Sequence, residues 1–180
     1  MLYGIKLPEQ YTLMEFEGKG PWAIGKYYQF PWNLVYLYKL RMIVRLMDKK
    51  VARTLLDLGS GPGIFKPELQ RRALRTTHVN HIAEVDPRAK FDVIVCASYL
   101  EFVKLSYVLP RLDEMLAPGG QLVIASPMKS WVTRAYYHLL GDTTKRHSHE
   151  EILSMVSKHF RVEKYTTWLG IYFAIKARKR

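Results

Sequence analysis

The sequence predicts an α/β fold: a doubly wound, mostly parallel sheet with a C-terminal antiparallel hairpin. Three observations carry this expectation. Apolar residues lead into an acid and then alternating glycines in Leu55-Leu56-Asp57-Leu58-Gly59-Ser60-Gly61-Pro62-Gly63, as where a buried parallel strand ends in a tight turn before a helix. The run Phe91 to Ala97 is almost continuously apolar, the pattern of a strand buried on both faces. Strand-like and helix-like segments alternate along most of the chain, which favours a layered α/β architecture.

The elements follow in order. Residues 1 to about 30 are rich in glycine and aromatics (among them Tyr3, Trp22 and Phe30) and read as an irregular arm or short helices. From Pro31, a good helix opener, to about Lys50 the pattern is helical. Tyr36, Leu40, Ile43, Val44 and Met47 share one face, and Arg41, Arg45 and Lys49 another. Such a helix either covers the sheet or, flanked by Trp32 and tyrosines, lies on a membrane. Residues 1–50 thus form an arm and helix over a single domain of 1–180. Thr54 to Leu58 is the first strand, Ile64 to about Arg75 its crossover helix, and Arg75 to Val79 the second strand. Pro67 fits that helix only within the first turn.

Ten residues separate Asn80 from Phe91, too few for a helix of ordinary length and a strand. The fold is therefore expected to be abbreviated after the second strand, with a trimmed sheet edge, up to loss of the third strand. A helix from Tyr107 to Leu116 and a strand from Gln121 to Ser126 complete the next unit. Met128 to Leu140 reads as a helix closing at Gly141. Ser148-His149-Glu150-Glu151 has the form of a capping box, which starts a helix running from His149 to about His159. Arg161 to Thr167 and Ile171 to Ala177, joined near Leu169-Gly170, read as an antiparallel hairpin.

A length of 180 residues suits one domain with one core. Lysine and arginine outnumber aspartate and glutamate 28 to 16, a net charge of +12, and the last thirty residues carry seven bases against two acids. This balance reads either as a taste for acidic partners or as a solvated basic surface. The single cysteine, Cys96, excludes an internal disulfide and a Cys-rich metal site and fits a reducing, cytoplasmic setting. No metal is expected. No apolar run approaches the ~20 residues of a membrane span, and Met1 to Lys6 opens no segment resembling a secretory signal.

Ligands of doubly wound sheets sit at the carboxyl ends of the strands, where Asp57, Gly59, Asn80 and Ala97-Ser98-Tyr99 fall. Ile64 stands where the dinucleotide fingerprint G-x-G-x-x-G needs its third glycine. The turn therefore suits a nucleoside ligand without a pyrophosphate.

The glycine-rich run resembles the first motif of the class I (Rossmann-like) S-adenosylmethionine-dependent methyltransferases. Phe91 to Glu101 is similar to that family's fourth strand and following loop, and Leu116 to Ile124 to its fifth strand, entered through Pro118-Gly119-Gly120. The resemblance runs from about Leu55 to the C-terminus. It implies S-adenosyl-L-methionine as cofactor and S-adenosyl-L-homocysteine as product. It places Gly59, Ser60, Gly61 and Gly63 along the ribose and amino-acid portion, Asp57 facing the cationic end, and Ala97, Ser98 and Tyr99 in the same site. Asn80 takes the position where the family usually holds the ribose hydroxyls with a carboxylate, and Glu84 or Asp86 are the carboxylates at hand to replace it.

Methyl transfer from a sulfonium is an in-line displacement in which alignment supplies much of the rate, and a base is needed mainly when the acceptor must lose a proton. Tyr99, Glu101 and His147 are the candidates. Leu100-Glu101-Phe102 stands where relatives often read Leu-Glu-His. His147 is either a base near neutral pH or, with Ser148 capping the helix, one of two water-facing histidines beside His149. Ala97-Ser98-Tyr99-Leu100 lacks the Asp/Asn/Ser-Pro-Pro-aromatic signature of enzymes that methylate exocyclic amines of bases. Cys96 lacks the Pro-Cys context of a cytosine-C5 nucleophile and reads as a core thiol.

The compact C-terminus resembles the small-molecule, quinone and lipid branch. It implies transfer to O or N of a small, amphiphilic or anionic substrate, reached at an anionic membrane surface. The aromatic arm and the Lys129 to Leu140 segment would roof its pocket. The alternatives are an RNA methyltransferase, for which no RNA-binding module is recognisable, and a non-catalytic protein that retains the fold.

Overall fold

The computed structural model of the chain describes residues 28, 30, 32–139 and 146–180. Its elements are α1 (Trp32–Leu46), β1 (Ala52–Leu58), α2 (Lys66–Gln70), β2 (Ala73–Val79), β3 (Phe91–Ala97), α3 (Leu105–Met115), β4 (Leu116–Pro127), α4 (Trp131–Leu139), α5 (His149–His159), β5 (Phe160–Trp168) and β6 (Tyr172–Lys179). The strands form one sheet in the order β2-β1-β3-β4-β6-β5. The first four run parallel, and β6 joins antiparallel to both β4 and β5. The parallel core and closing hairpin are those the sequence predicts.

Alternation along the strands explains the continuous apolar runs. On one face Leu55, Val93, Val95, Val123 and Ala125 pack with Tyr36, Leu40, Ile43 and Val44 of α1 and with Met47 just beyond it. On the other, Leu56, Leu58, Ile94, Cys96, Leu122 and Ile124 pack with Leu109 and Leu112 of α3 and Ile152 and Val156 of α5. A strand buried this way has no polar face to show, and each large aliphatic side chain contributes about 1.5–3 kcal/mol. The apolar face of α1 is therefore spent on the sheet, not on a bilayer.

Several boundaries differ from the expectation. The crossover helix after β1 is one short turn, not a run from Ile64 to Arg75, and β2 begins at Ala73 instead of Arg75. Residues 61–65 are spent in turns around Gly61 and Gly63, and Ala52 N–H bonds Arg72 O at 2.9 Å, which draws the chain into the sheet at once. Pro67 lies in the first turn of α2, where its missing N–H costs nothing. β4 begins at Leu116, five residues before the expected start, because the Pro-Gly-Gly turn is a bulge inside the strand: Phe91 pairs Leu116 and Val93 pairs Gln121. α4 begins at Trp131 because Ser130 Oγ accepts from Thr133 N at 3.2 Å and caps the helix.

The abbreviation after β2 takes its fuller form. Between Asn80 and Phe91 lies only a 3-10 turn, Ile82–Glu84, and among the described residues no strand pairs with the outer edge of β2. The expectations for residues 1–27 and 29, for Pro31 as helix opener, and for Leu140 and Gly141 lie outside the described residues.

An ion network fastens the end of α1 to the hairpin. Asp48 Oδ1 meets Lys176 Nζ at 2.6 Å and its Oδ2 meets Arg178 at 2.8 Å, while Arg178 Nε also meets Glu163 at 2.9 Å. The Lys176 hydrogen bond, seconded by Arg178, holds the Asp48 carboxyl below its usual range against partial burial. A carboxyl lowered by folding stabilises above its unfolded pKa of about 3.9 and loses that contribution as pH falls through the folded value. Asp48→Asn should lower stability by about 1 kcal/mol at pH 7. Thermal melts should show the gap to wild type closing below about pH 4; a gap unchanged at pH 3 would contradict the network's role.

Candidate active site

The carboxyl ends of β1, β2 and β3 meet along one edge, with Leu58 level with Val79 and Cys96. From there the chain turns through Gly59, Gly61 and Gly63, whose φ angles are +82°, +65° and +80°. These angles favour glycine, and at Gly59 space demands it as well: a Cβ there would lie 2.7 Å from Tyr99 Cβ.

Asp57, fully buried, organises the turn. Its Oδ2 accepts from Ser60 Oγ at 2.6 Å and from His78 Nδ1 at 2.9 Å, and His78 Nε2 donates to Gly61 O at 3.1 Å. Both ring nitrogens of His78 thus face acceptors, which is the arrangement of an imidazolium. Burial pulls its pKa down, but the bond and charge of Asp57 and the Gly61 carbonyl outweigh it, and the net shift is upward. Asp57 Oδ1 is buried with no hydrogen-bond partner among the described residues. No motif in the sequence signals His78.

Beside the turn opens a cavity of about 400 Å³, lined by Gly59, Ser60, Gly61, Asn80, Ser98 and Tyr99 among others, within the range of small-molecule sites. Six of the sequence-selected cofactor residues therefore converge. Asp57, Gly63 and Ala97 stand behind the wall: Ala97 packs in the core, and a Cβ on Gly63 would meet His78 Nε2 at 3.7 Å. Glu84 and Asp86 do not line the cavity. Glu84 accepts from His81 N at 2.7 Å and Asp86 from Arg88 N at 2.9 Å, both capping their own turns.

Tyr99 presents its ring to Gly59 and accepts Ile82 N–H on its hydroxyl at 3.2 Å. Burial raises its pKa, which works against a phenolate. Ser98 adopts a left-handed φ of +55°, and its Oγ receives a hydrogen bond from Lys39 Nζ at 2.5 Å. Lys39 was missed at the level of motifs, yet a signal exists: it lies on α1 between Tyr36 and Leu40, a cation on an otherwise apolar stripe. Its side chain is buried, with the ammonium 5.5 Å from the Phe65 ring centre and 5.6 Å from that of Tyr172. Burial pushes its pKa down to about 8, against the pull of Glu101 and Asp57.

A second cavity, about 610 Å³, opens past the end of β4. Lys129, Arg134, His138, Arg146 and His147 border it with Trp131 and Tyr137, and no carboxylate is among its described lining residues. The Arg146 guanidinium lies 3.8 Å from the Tyr137 ring centre and 5.1 Å from that of Phe102, a residue of the first cavity. Arg146 thus sits between the two spaces.

Glu101 is buried, and its carbonyl accepts His147 N–H at 3.0 Å. Neither reading of His147 describes it fully. Ser148 does cap α5, accepting Glu151 N–H at 3.2 Å. His147, however, is clamped, with Nε2 on Val103 O at 2.9 Å and Nδ1 on Glu151 at 2.8 Å. Neither nitrogen is turned towards a ligand. His149 pairs with Glu150 at 3.0 Å. Cys96 is fully buried, and desolvation drives its thiol pKa upward, as befits a core thiol.

No protein-family model matches the sequence, and no curated protein matches it either. Solved structures do. The N-methyltransferase NodS from Bradyrhizobium japonicum WM9, in complex with S-adenosyl-L-homocysteine, superposes with a TM-score of 0.67 at 16% identity, over 91% of this chain and 93% of that one. Human N-acetylserotonin methyltransferase in complex with S-adenosylmethionine gives 0.63 at 19% identity, over 81% of this chain and 52% of that one. The mitomycin 7-O-methyltransferase MmcR gives 0.63 at 17%, over 81% and 54%. The chain thus spans about half the length of the last two. The fold is that of the class I methyltransferases.

The Asp57–His78 pair makes a pH-dependent contribution. A histidine whose pKa folding raises stabilises fully below its unfolded value of about 6.5 and ceases to do so as pH rises through the folded value. His78→Gln should be less stable at pH 6, and wild type's lead should shrink towards pH 9 in thermal melts. A lead that grows with pH would refute the imidazolium assignment.

Proposed function

We propose that this chain is an S-adenosylmethionine-dependent methyltransferase acting on O or N of a small, anionic or amphiphilic acceptor. One observation carries the reading. A nucleoside-sized cavity is walled by the glycine turn, Asn80 and Ser98-Tyr99 at the carboxyl edge of a methyltransferase-fold sheet. The solved neighbours, among them an N- and an O-methyltransferase, include two in complex with S-adenosyl compounds.

The residues present fit the cofactor. The turn offers bare backbone. Asn80 offers amide groups for ribose hydroxyls, and the unpartnered Asp57 Oδ1 offers an acceptor near the cationic end. When bound, the cofactor supplies a sulfonium-borne methyl group with an excellent leaving group. The chain's task is to orient and to exclude water: Tyr99, Ile64 and Phe65 wall the first cavity with apolar surface. In the second cavity Lys129, Arg134 and Arg146 suit an anionic acceptor, and Trp131 and Tyr137 its apolar part. The hydrogen bonds of Tyr99 and His147 weigh against a base role for either, so alignment, not proton transfer, carries most of the rate.

Peripheral membrane contact is part of the proposal. Trp131 is 82% exposed and Leu169 73%, and Ser130 Oγ, bonded to Gly170 O at 2.6 Å, ties their two loops together. Lys129 and Arg134 flank them, the composition of an interfacial rim on an anionic bilayer. Among the described residues no helix is long and apolar enough to cross a membrane. The lone buried Cys96 supports a cytoplasmic location.

Titration calorimetry with S-adenosyl-L-homocysteine should give a Kd in the micromolar range; absence of heat would defeat the proposal and favour a non-catalytic fold. Asn80→Asp, which supplies a charged acceptor to the ribose hydroxyls, should tighten binding about fivefold, and Asn80→Ala should weaken it by a similar factor. Cosedimentation with phosphatidylglycerol vesicles should be strong for wild type and much reduced for Trp131→Ala. Equal cosedimentation of the two would remove the membrane contact from the proposal.

A further inference from the structure

We propose that Lys39 is the anchor for the cofactor's carboxylate, an ammonium that α1 carries through the core to pair with the α-carboxylate of the amino-acid moiety. The assignment rests on the S-adenosyl reading above and names a contact that no glycine motif supplies.

Lys39 is only 4% exposed, and an ammonium withdrawn from water is penalised by several kcal/mol unless a partner restores what hydration gave. Ser98 Oγ takes one of its three N–H donors. Among the described residues no carboxylate lies within 4 Å of it. The Phe65 and Tyr172 rings, at 5.5 and 5.6 Å, offset part of the desolvation but accept no strong hydrogen bond. Of the two buried acids whose charges reach it, Glu101 and then Asp57, neither comes within ion-pair distance, and Asp57 already holds Ser60 and His78. The protein therefore maintains a buried cation with donors to spare on the wall of the cavity it shares with Gly59 and Ser60.

The geometry around it is set, not incidental. Ser98 holds the left-handed φ of +55° while its N–H is fixed to Ala125 O at 2.8 Å, and that conformation presents Oγ to Lys39. Strain of this kind persists where surrounding structure over-determines it. The charges also complement a zwitterion. Lys39 stands for the carboxylate, and Asp57 and Glu101, whose fields both reach Lys39, favour the ammonium and sulfonium.

The test compares two ligands and three proteins by titration calorimetry. The ligands are S-adenosyl-L-homocysteine and its decarboxylated analogue, identical but for the carboxylate. Wild type should prefer the former by about 30-fold, equivalent to about 2 kcal/mol. Lys39→Met should bind S-adenosyl-L-homocysteine about 30-fold more weakly and show almost no preference, whereas Lys39→Arg should keep most of it. Lys39→Gln repeats the comparison if the methionine variant does not fold. Should wild type show no preference, or Lys39→Met keep it, the assignment fails while the S-adenosyl reading stands. If wild type binds neither compound, the S-adenosyl reading itself fails and the assignment with it.

Discussion

A single buried carboxylate, Asp57, governs the working edge of this molecule. With no solvent exposure it would be ruinously unstable alone, and it survives because Ser60 Oγ and His78 both meet one of its oxygens. Those two bonds shape the loop. Ser60 is drawn inward at the first bend, and His78, bonded to Gly61 O by its other nitrogen, ties the middle of the turn to β2. The glycines grant the conformations, and the Asp57 cluster chooses among them.

The sheet supplies the platform. Because β1, β3 and β4 are covered on both faces, their carboxyl ends have a fixed register, and the loops after them arrive at one place. The covering helix does more than hide apolar surface. By packing on β4 and β6, α1 delivers Tyr36 and Lys39 to the same cavity as the turn. Part of the cavity wall thus comes from an element whose sequence reads as a plain core-packing helix.

Much of this was legible in the sequence. Strand patterning located β1 and β3, because strands buried on both faces leave unbroken apolar runs, and the turn signal at Leu169-Gly170 located the hairpin. The ten-residue gap after Asn80 foretold the trimmed edge, since chain length is a hard steric limit. The capping box at Ser148 located α5 within a residue of its start. Boundaries failed where tertiary demands overrode local pattern: α2 was cut short by the pull of Arg72 into the sheet, and the Pro-Gly-Gly segment was absorbed into β4 as a bulge. In the candidate site, glycine spacing pointed to Gly59, Ser60 and Gly61, and the ends of β2 and β3 to Asn80, Ser98 and Tyr99, all of which line the first cavity. What stayed hidden depends on distant pairings. Nothing near His78 announces Asp57 twenty-one residues earlier, and the clamping of His147 by Val103 and Glu151 is a product of the folded chain. Lys39 falls between the two cases, visible as a charge on an apolar stripe but interpretable only once Ser98 stands beside it.

We propose that the turn ordered by Asp57 holds an adenosyl ligand against bare backbone. A crystal structure grown with S-adenosyl-L-homocysteine tests it most directly. The ligand should lie across Gly59 to Gly61, with its ribose hydroxyls within hydrogen-bond distance of Asn80. A ligand seated elsewhere, with the Asp57–His78 cluster intact and the first cavity holding only water, would contradict it.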